Sequence, residues 1–178
     1  FSVDFKITDP INRLKSGTEA HLKMTVVNDE EFDEVALVTG PTKAARGLTS
    51  MEYVLVRNKG ENLKTTFTTV LEPYEKGKEY IEKIEKVSMT RDENARPGLY
   101  DSYSAVKVYH LNGRVDYVMY STNTDIEYVV DNKIKFRGFA GVVTFESDAD
   151  DAKIIYSYLN DGDTLSLVNA PAETVNAA

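Results

Sequence analysis

The sequence predicts an all-β protein, an antiparallel two-sheet β-sandwich with meander hairpins. Three observations predict it: large apolar residues alternate with polar ones along many short segments, turn-forming residues separate these segments, and no long segment has a helical apolar period. Such strands bury their apolar faces by packing one sheet on another. A closed barrel is the alternative that the same pattern allows.

The first strands are visible at the start of the chain. Phe1, Val3 and Phe5 alternate with polar residues and fall on one face of a strand, and the same period continues in residues 22–26. Over residues 80–89 the apolar residues are spaced by three, as on a helix, but the segment is short, so we predict an irregular strand there. The other predicted strands cover residues 34–39, 51–57, 63–71, 105–111, 114–121, 125–130, 133–138, 141–146, 152–159 and 164–168.

Turn chemistry separates these strands. Asn112-Gly113 lies between two β-rich segments, and Asn-Gly accepts the positive φ angles of a type I′ turn, so we expect a hairpin there. Weaker turn signals stand at residues 59–60, 131–132 and 161–162.

The length fits one domain. The chain has 178 residues, of which 42% are hydrophobic, and at this size a domain buries roughly 70% of its unfolded surface. No boundary divides it sharply. We therefore expect a sandwich domain over residues 1–168 and a flexible tail over 169–178, where small and polar residues dominate.

Charge and composition exclude several classes of partner and chemistry. The net charge of −8 disfavours nucleic acids and anionic membranes, and no apolar segment approaches the roughly 20 residues of a membrane helix. The chain has no cysteine, which excludes disulfides and thiolate chemistry. We expect no nucleic-acid and no membrane partner.

Candidate catalytic and metal residues are few. The only two histidines, His21 and His110, stand apart from other catalytic residue types, so we interpret both as ordinary surface or edge residues. Acidic loops at 28–31, 148–151 and 161–163 carry the oxygen ligands that calcium prefers, without the EF-hand spacing. Solvated carboxylates are the simpler interpretation. We predict no catalytic residue, no metal residue and no cofactor, with calcium as the alternative.

Tyrosines and a basic segment suggest a glycan-binding surface. The chain has eleven tyrosines and no tryptophan, and tyrosine rings can stack on sugars, although they also pack within sheets. The tyrosines with this potential are Tyr53, Tyr74, Tyr100, Tyr103 and Tyr120. The basic side chains within residues 43–57 could bind a carboxylate or sulfate group of such a glycan. The predicted substrate-binding residues are Lys43, Arg46, Tyr53 and Arg57, and a solvated face is the alternative.

Three segments then point to a family. They are MEYVLVRNKGENLKTTFTTVLEPY at 51–74, SAVKVYHLNGRVDYVMYS at 104–121 and KIKFRGFAGVVTF at 133–145. In this order and spacing the chain resembles the C-terminal β-domain of the heparinase II/III-like polysaccharide lyases. The resemblance covers most of residues 20–168, and none of the segments is a catalytic signature.

The resemblance implies a two-part bacterial enzyme. A helical toroid carries most of the substrate cleft, and a β-sandwich packs against it; members cleave acidic polysaccharides by β-elimination. This sequence contains neither helical hairpins nor the family's His-Asp-Tyr segment, so His21 and His110 receive no catalytic role.

The expectation is therefore a C-terminal module of a secreted lyase, extracellular or at the cell surface. We expect it to be inactive alone, with an acidic polysaccharide and the parent chain's toroid as partners. The alternative is a stand-alone carbohydrate-binding or cell-surface adhesion sandwich.

Overall fold

The computed structural model describes residues 1–9, 12–27, 32–41, 50–91 and 101–169. These residues form twelve strands and no helix, and every strand pair is antiparallel. The prediction of an all-β, antiparallel fold is confirmed. Nothing in the described ranges has the length and apolarity of a membrane-crossing helix. The tail predicted over 169–178 lies outside the described residues, apart from the exposed Asn169.

The strands follow the alternating segments of the sequence closely. Their bounds are β1 Ser2–Lys6, β2 Ala20–Val27, β3 Glu34–Pro41, β4 Ser50–Arg57, β5 Thr68–Glu75, β6 Ile81–Lys86, β7 Met89–Arg91, β8 Tyr103–His110, β9 Val115–Ser121, β10 Tyr128–Val130, β11 Ile134–Phe145 and β12 Ile154–Leu167.

Contacts divide the chain into two compact units. One contains Phe1–Val27 and the described part of Thr68–Ala178, and the other contains the described part of Asn28–Phe67. The second unit is built on one two-stranded sheet, in which β3 pairs with β4 from Glu34↔Arg57 to Pro41↔Ser50. The sandwich over residues 1–168 is thus interrupted by a hairpin unit that the sequence did not separate.

Within the first unit, a three-stranded sheet has the order β1-β2-β5. Its β2 side chain Val26 is only 3% exposed, and the hydroxyl groups of Thr68 on β5 and Ser104 on β8 lie 2.6 Å apart. These contacts place the smaller sheet against the outer face of the larger one, in a β-sandwich-like arrangement.

The larger, seven-stranded sheet is organised around the long strand β11. Its second half pairs with β9, which continues through β8 to β6, and its first half pairs with β10, which continues to β7. The other edge of β11 pairs with β12 along almost its whole length. One strand therefore belongs to two branches of the same sheet.

The two branches enclose the core. Tyr117 of β9 meets Phe145 of β11 edge to face, with ring centres 5.7 Å apart. At Gly141 a Cβ atom would lie 3.0 Å from the ring of Phe136, so β11 needs glycine where it passes its own aromatic side chain. The fully buried large side chains are Tyr117, Tyr128, Phe136, Phe145, Met119, Ile134, Val115 and Val130. The sheet thus curls over a core made mainly of its own inward-facing residues.

Local geometry corrects four of the sequence predictions. Residues 133–138 and 141–146 form one strand, and so do 152–159 and 164–168, while residues 63–67 are not a strand. The signal at 161–162 is not a turn: it lies within β12, opposite the register shift between Arg137 and Gly138. Gly162 allows β11 and β12 to approach closely. The local sequence does not show whether a glycine has this role or forms a turn.

Candidate functional site

The predicted substrate-binding residues are not gathered into a described site. Lys43 and Arg46 lie outside the described residues. Tyr53 and Arg57 lie on the same face of β4, where Tyr53 packs beside Gly40 and Arg57 forms an ion pair with Glu34 across the hairpin. Of the three predicted cations, only Arg57 is among the described residues, and Glu34 already neutralises it. A patch of all four residues stays a prediction.

Three of the other candidate tyrosines pack within the sheets. Tyr74 stacks on His21 at 5.2 Å between ring centres, Tyr103 meets Tyr128 at 5.0 Å, and Tyr120 meets Phe139 edge to face at 5.2 Å. Tyr100 is outside the described residues. Each of the three rings has an aromatic partner on the chain itself, as ordinary sheet packing requires.

His21 belongs to a polar cluster on the smaller sheet. Its Nδ1 lies 3.2 Å from the Asp4 carboxylate, and its Nε2 lies 3.2 Å from Oε1 of Glu19. Hydrogen bonds from Lys76, His21 and Lys6 lower the pKa of Glu19 to about 2. Tyr74 donates a 2.6 Å hydrogen bond to Asp4, which raises the pKa of Tyr74 to about 12. The imidazole is held between two carboxylates and acts structurally here.

His110 is buried, which corrects its interpretation as a surface or edge residue. The residue is 8% exposed, and its Nε2 lies 2.7 Å from Oδ2 of Asp116. The Arg114 guanidinium lies 3.4 Å from the same carboxylate oxygen, at a cavity of about 510 Å³ also lined by Glu79 and Tyr80.

The pairing around His110 limits its chemistry. A carboxylate that orients an imidazole is a common part of a general base. Here, however, Arg114 is already engaged by Asp116 rather than free for a substrate anion. Asp116 Oδ1 and Arg114 Nε are buried without a hydrogen-bond partner in the described structure. A dry unpaired atom of this kind costs about 1–3 kcal/mol, so we expect solvent from the adjoining cavity to reach them.

The larger candidate site is the mouth of the curled sheet, a cavity of about 540 Å³. Lys107 lies on the inward face of β8, directly opposite Tyr117 of β9. Its side chain is 11% exposed and forms an ion pair with Asp148, which follows β11. The Lys107 ammonium lies 4.9 Å and 5.4 Å from the ring centres of Tyr109 and Tyr117. The floor of the cavity is therefore a buried, paired cation.

Two groups of this floor, Lys107 and Tyr117, hold fixed protonation states. Burial alone lowers the pKa of Lys107, but hydrogen bonds with Asp148, Tyr109 and Tyr117 outweigh it and raise the pKa above its usual value. Burial, together with a 2.8 Å hydrogen bond donated to Asp131, raises the pKa of Tyr117. Lys107 is thus charged and Tyr117 neutral at physiological pH.

In each described acidic loop, one carboxylate binds a cation. Asp148 binds Lys107, and Asp163 accepts two hydrogen bonds from Arg137, at 2.6 Å and 2.7 Å. The acidic loop at 28–31 lies outside the described residues. Across the part of the chain that the structure describes, no group of three or more histidine or carboxylate side chains is placed to hold a metal ion.

Sequence reasoning missed the mouth of the sheet, although one signal was present. Lys107 interrupts an otherwise apolar strand, Ala105-Val106-Lys107-Val108-Tyr109, at a position that shares a face with Ala105 and Tyr109. A lysine in such a strand must be buried with a partner or disrupt the packing. Its partner Asp148 is distant in sequence, so the pattern alone could not identify it.

None of three comparisons, with models of protein families, with curated proteins and with solved structures, finds a match to this chain.

Proposed function

We propose that this chain is the C-terminal β-sandwich module of a secreted polysaccharide lyase of the heparinase II/III-like kind. Its role is to support a catalytic helical domain and its cleft for acidic polysaccharide, and it does not perform β-elimination alone. The observation that carries the proposal is the order and spacing of the three resembling segments. Two of them occupy the β8–β9 hairpin and β11, which pair with each other at the centre of the larger sheet.

The placement of the histidines supports a module that is inactive alone. Elimination requires a base at the carbon beside the uronate carboxyl group and a group that stabilises the negative charge developing there. His21 is held between two carboxylates, Asp4 and Glu19, whereas His110 has the single carboxylate partner, Asp116, that a general base can also have. Arg114, the cation beside His110, pairs with the same Asp116.

An assay for unsaturated uronate ends tests this proposal. The isolated chain is mixed with heparan sulfate or alginate, and the ultraviolet absorbance of the unsaturated product is followed. We expect no turnover above buffer, and we expect turnover when the chain is expressed with the coding region that precedes Phe1. Steady turnover by the isolated chain, removed by His110→Ala, would contradict the proposal and place the base at His110.

A second candidate is a stand-alone carbohydrate-binding or cell-surface adhesion sandwich. The mouth cavity favours it, because ammonium, carboxylate and amide groups line a concave space of about 540 Å³. The coding region upstream of Phe1 separates the two: a long helix-rich stretch with an export signal supports the lyase module, and an immediate start codon supports the second candidate.

A further inference from the structure

The rim of the mouth cavity carries polar groups that have no ion-pair partner among the described residues. Lys133 extends its ammonium over the ring of Phe145, 4.1 Å from the ring centre. In the described ranges it has no carboxylate partner, and Asp150 has no cationic one. Asn132 lines the same cavity with an exposed amide.

These rim groups differ from the floor beneath them. Lys107 is paired with Asp148, and Tyr117 donates to Asp131, so the floor groups already satisfy one another. An incoming molecule therefore meets Lys133, whose ammonium contacts the Phe145 ring and no carboxylate in the described ranges, together with the Asp150 carboxylate and the Asn132 amide. The Asp131 carboxylate beneath them has a neutral hydroxyl, not a cation, as its side-chain partner. This combination suits a ligand with a single anionic group and several hydroxyl groups, because hydroxyls can donate to carboxylate and amide oxygens.

The turn before β11 fixes the position of the rim. Asp131 and Asn132 have φ angles of 51° and 52°, and the Lys133 amide donates to the Val130 carbonyl oxygen at 2.9 Å. Asp131 is further held because its amide donates to Ser88. The backbone that presents Asn132 and Lys133 is therefore preorganised, which reduces the entropy cost of binding.

We propose that the mouth of the curled sheet binds a single unit of a polyhydroxylated acid, with its carboxylate on Lys133 and its hydroxyls on Asn132 and Asp150. The cavity volume of about 540 Å³ falls in the range of roughly 300–1,000 Å³ that is usual for small-molecule sites. The choice of a uronate as the acid rests on the proposed function; the site itself rests on the geometry.

The test compares two sugars that differ in one group. Methyl glucuronide and methyl glucoside are titrated into the isotope-labelled chain at millimolar concentrations, and amide shifts are followed by two-dimensional NMR. We expect the glucuronide to shift amides at 131–133 and 148–150, and to bind more tightly than the glucoside. Lys133→Gln should weaken glucuronide binding about tenfold, the loss of one charge-assisted hydrogen bond, and leave the glucoside unaffected.

Two further variants make the test specific. Lys135→Gln removes a lysine of β11 that does not line the cavity and should change neither affinity. Asp150→Ala removes the carboxylate from an exposed loop, leaves no acceptor in its place, and should weaken both sugars. The variant spectra report whether the fold is retained, and the glutamine at 133 keeps part of the aliphatic stem over Phe145.

Several results would overturn the site: no glucuronide binding, shifts confined to other residues, equal binding of both sugars, or a Lys133→Gln variant that binds like the parent. The failure of the proposed function is distinct. If the chain binds glucuronide here but no lyase region lies upstream, the site stands and the lyase proposal fails. If a lyase region lies upstream but glucuronide does not bind here, the lyase proposal stands and the site fails.

Discussion

Glu72 shows how one carboxylate stabilises the passage between the two sheets of the first unit. It is 3% exposed, and its Oε1 accepts 2.9 Å hydrogen bonds from the amides of Tyr80 and Ile81. The next residue, Pro73, lies within β5. Proline is tolerated because β5 pairs with β2 alone in the described sheet, and an edge strand needs no donor on its free side.

Glu19 gives the smaller sheet a stability that depends on pH. Its folded pKa of about 2 lies below its ordinary value of 4.5, so ionised Glu19 favours the folded state. This contribution is fully present above pH 4.5 and is lost as the pH falls toward 2. We expect Glu19→Gln to lower the denaturation midpoint at neutral pH and to approach the parent protein near pH 2, as measured by urea unfolding across this range.

The control for the acid experiment is Glu82→Gln. Glu82 is exposed on β6 and forms no ion pair in the described structure, so its substitution should shift the midpoint little at any pH in this range. A Glu19→Gln variant whose difference from the parent stayed constant from neutral pH down to pH 2 would contradict the role assigned to Glu19.

Residue chemistry was partly predictable from sequence. The buried pairs could not be predicted, because Lys107–Asp148 and Tyr117–Asp131 join residues from different strands and loops. The alternation of exposed and half-buried side chains along β1 could be predicted, since it depends only on neighbours along the chain. His110 was misjudged for the same reason as the pairs: its burial comes from the surrounding fold, including Asp116 on the next strand.

At the scale of elements, the type I′ geometry that the sequence predicts at Asn112-Gly113 occurs instead at residues 131–132, where the sequence gives only a weaker turn signal. The Asn112-Gly113 hairpin forms, but only Gly113 has a positive φ, of 87°, and its amide donates to His110. This is the pattern of a type I turn followed by a left-handed glycine. The positive φ angles of a type I′ turn occur instead at Asp131 and Asn132. The register of the paired strands selects between such turns, and this register cannot be read from the local sequence.

The irregularity in β12 depends on Gly162. A Cβ atom at this position would lie 2.2 Å from the Arg137 carbonyl oxygen and 2.5 Å from Cα of Gly138. Both contacts are with backbone, so no side-chain rotation relieves them. We expect Gly162→Ala to destabilise the protein by roughly 1–3 kcal/mol, because the β11–β12 pair must separate locally. Thermal and urea unfolding measure the change.

Gly60→Ala is the matched control for that substitution. There the added Cβ would lie 3.5 Å from Leu63, an ordinary van der Waals distance, and no positive φ is required. Gly60→Ala should therefore be close to neutral. A Gly162→Ala protein as stable as the parent would show that β12 tolerates a different register shift from the one described.

On the scale of the whole molecule, the second unit is inserted at a point where the first unit is nearly continuous. Val27 at the end of β2 and Thr68 at the start of β5 are register partners, and the main core cluster lies entirely outside 28–67. We expect a chain with residues 28–67 replaced by Asn-Gly to fold, because a two-residue turn can join opposite residues of a hairpin. Circular dichroism and thermal unfolding check this.

The shortened chain should unfold cooperatively, with a midpoint within about 5 °C of the parent. A matched shortened chain with Gly162→Ala should unfold at a lower temperature, which shows that the measured transition reports the larger sheet. Loss of the cooperative transition in the Asn-Gly chain would mean that residues 28–67 contribute to the core of the first unit.

The overall class was predictable, and the strand order was not. Apolar alternation identifies strands because each strand needs only its own residues to define two faces. The order β6-β8-β9-β11-β10-β7 depends on pairings between distant segments, and no local signal indicates that β11 pairs with both β9 and β10. The division at residues 28–67 was missed for a similar reason: its strands have the same composition as the rest.

The shared strand β11 has a consequence for biosynthesis. The inward faces of β8 and β9, including Tyr117 and Met119, have no partner until residues 134–145 leave the ribosome and β12 follows them. At translation rates of about 5–20 residues per second, these apolar faces wait on the order of seconds. The nascent chain is therefore most vulnerable to self-association, and most dependent on chaperones, during that interval.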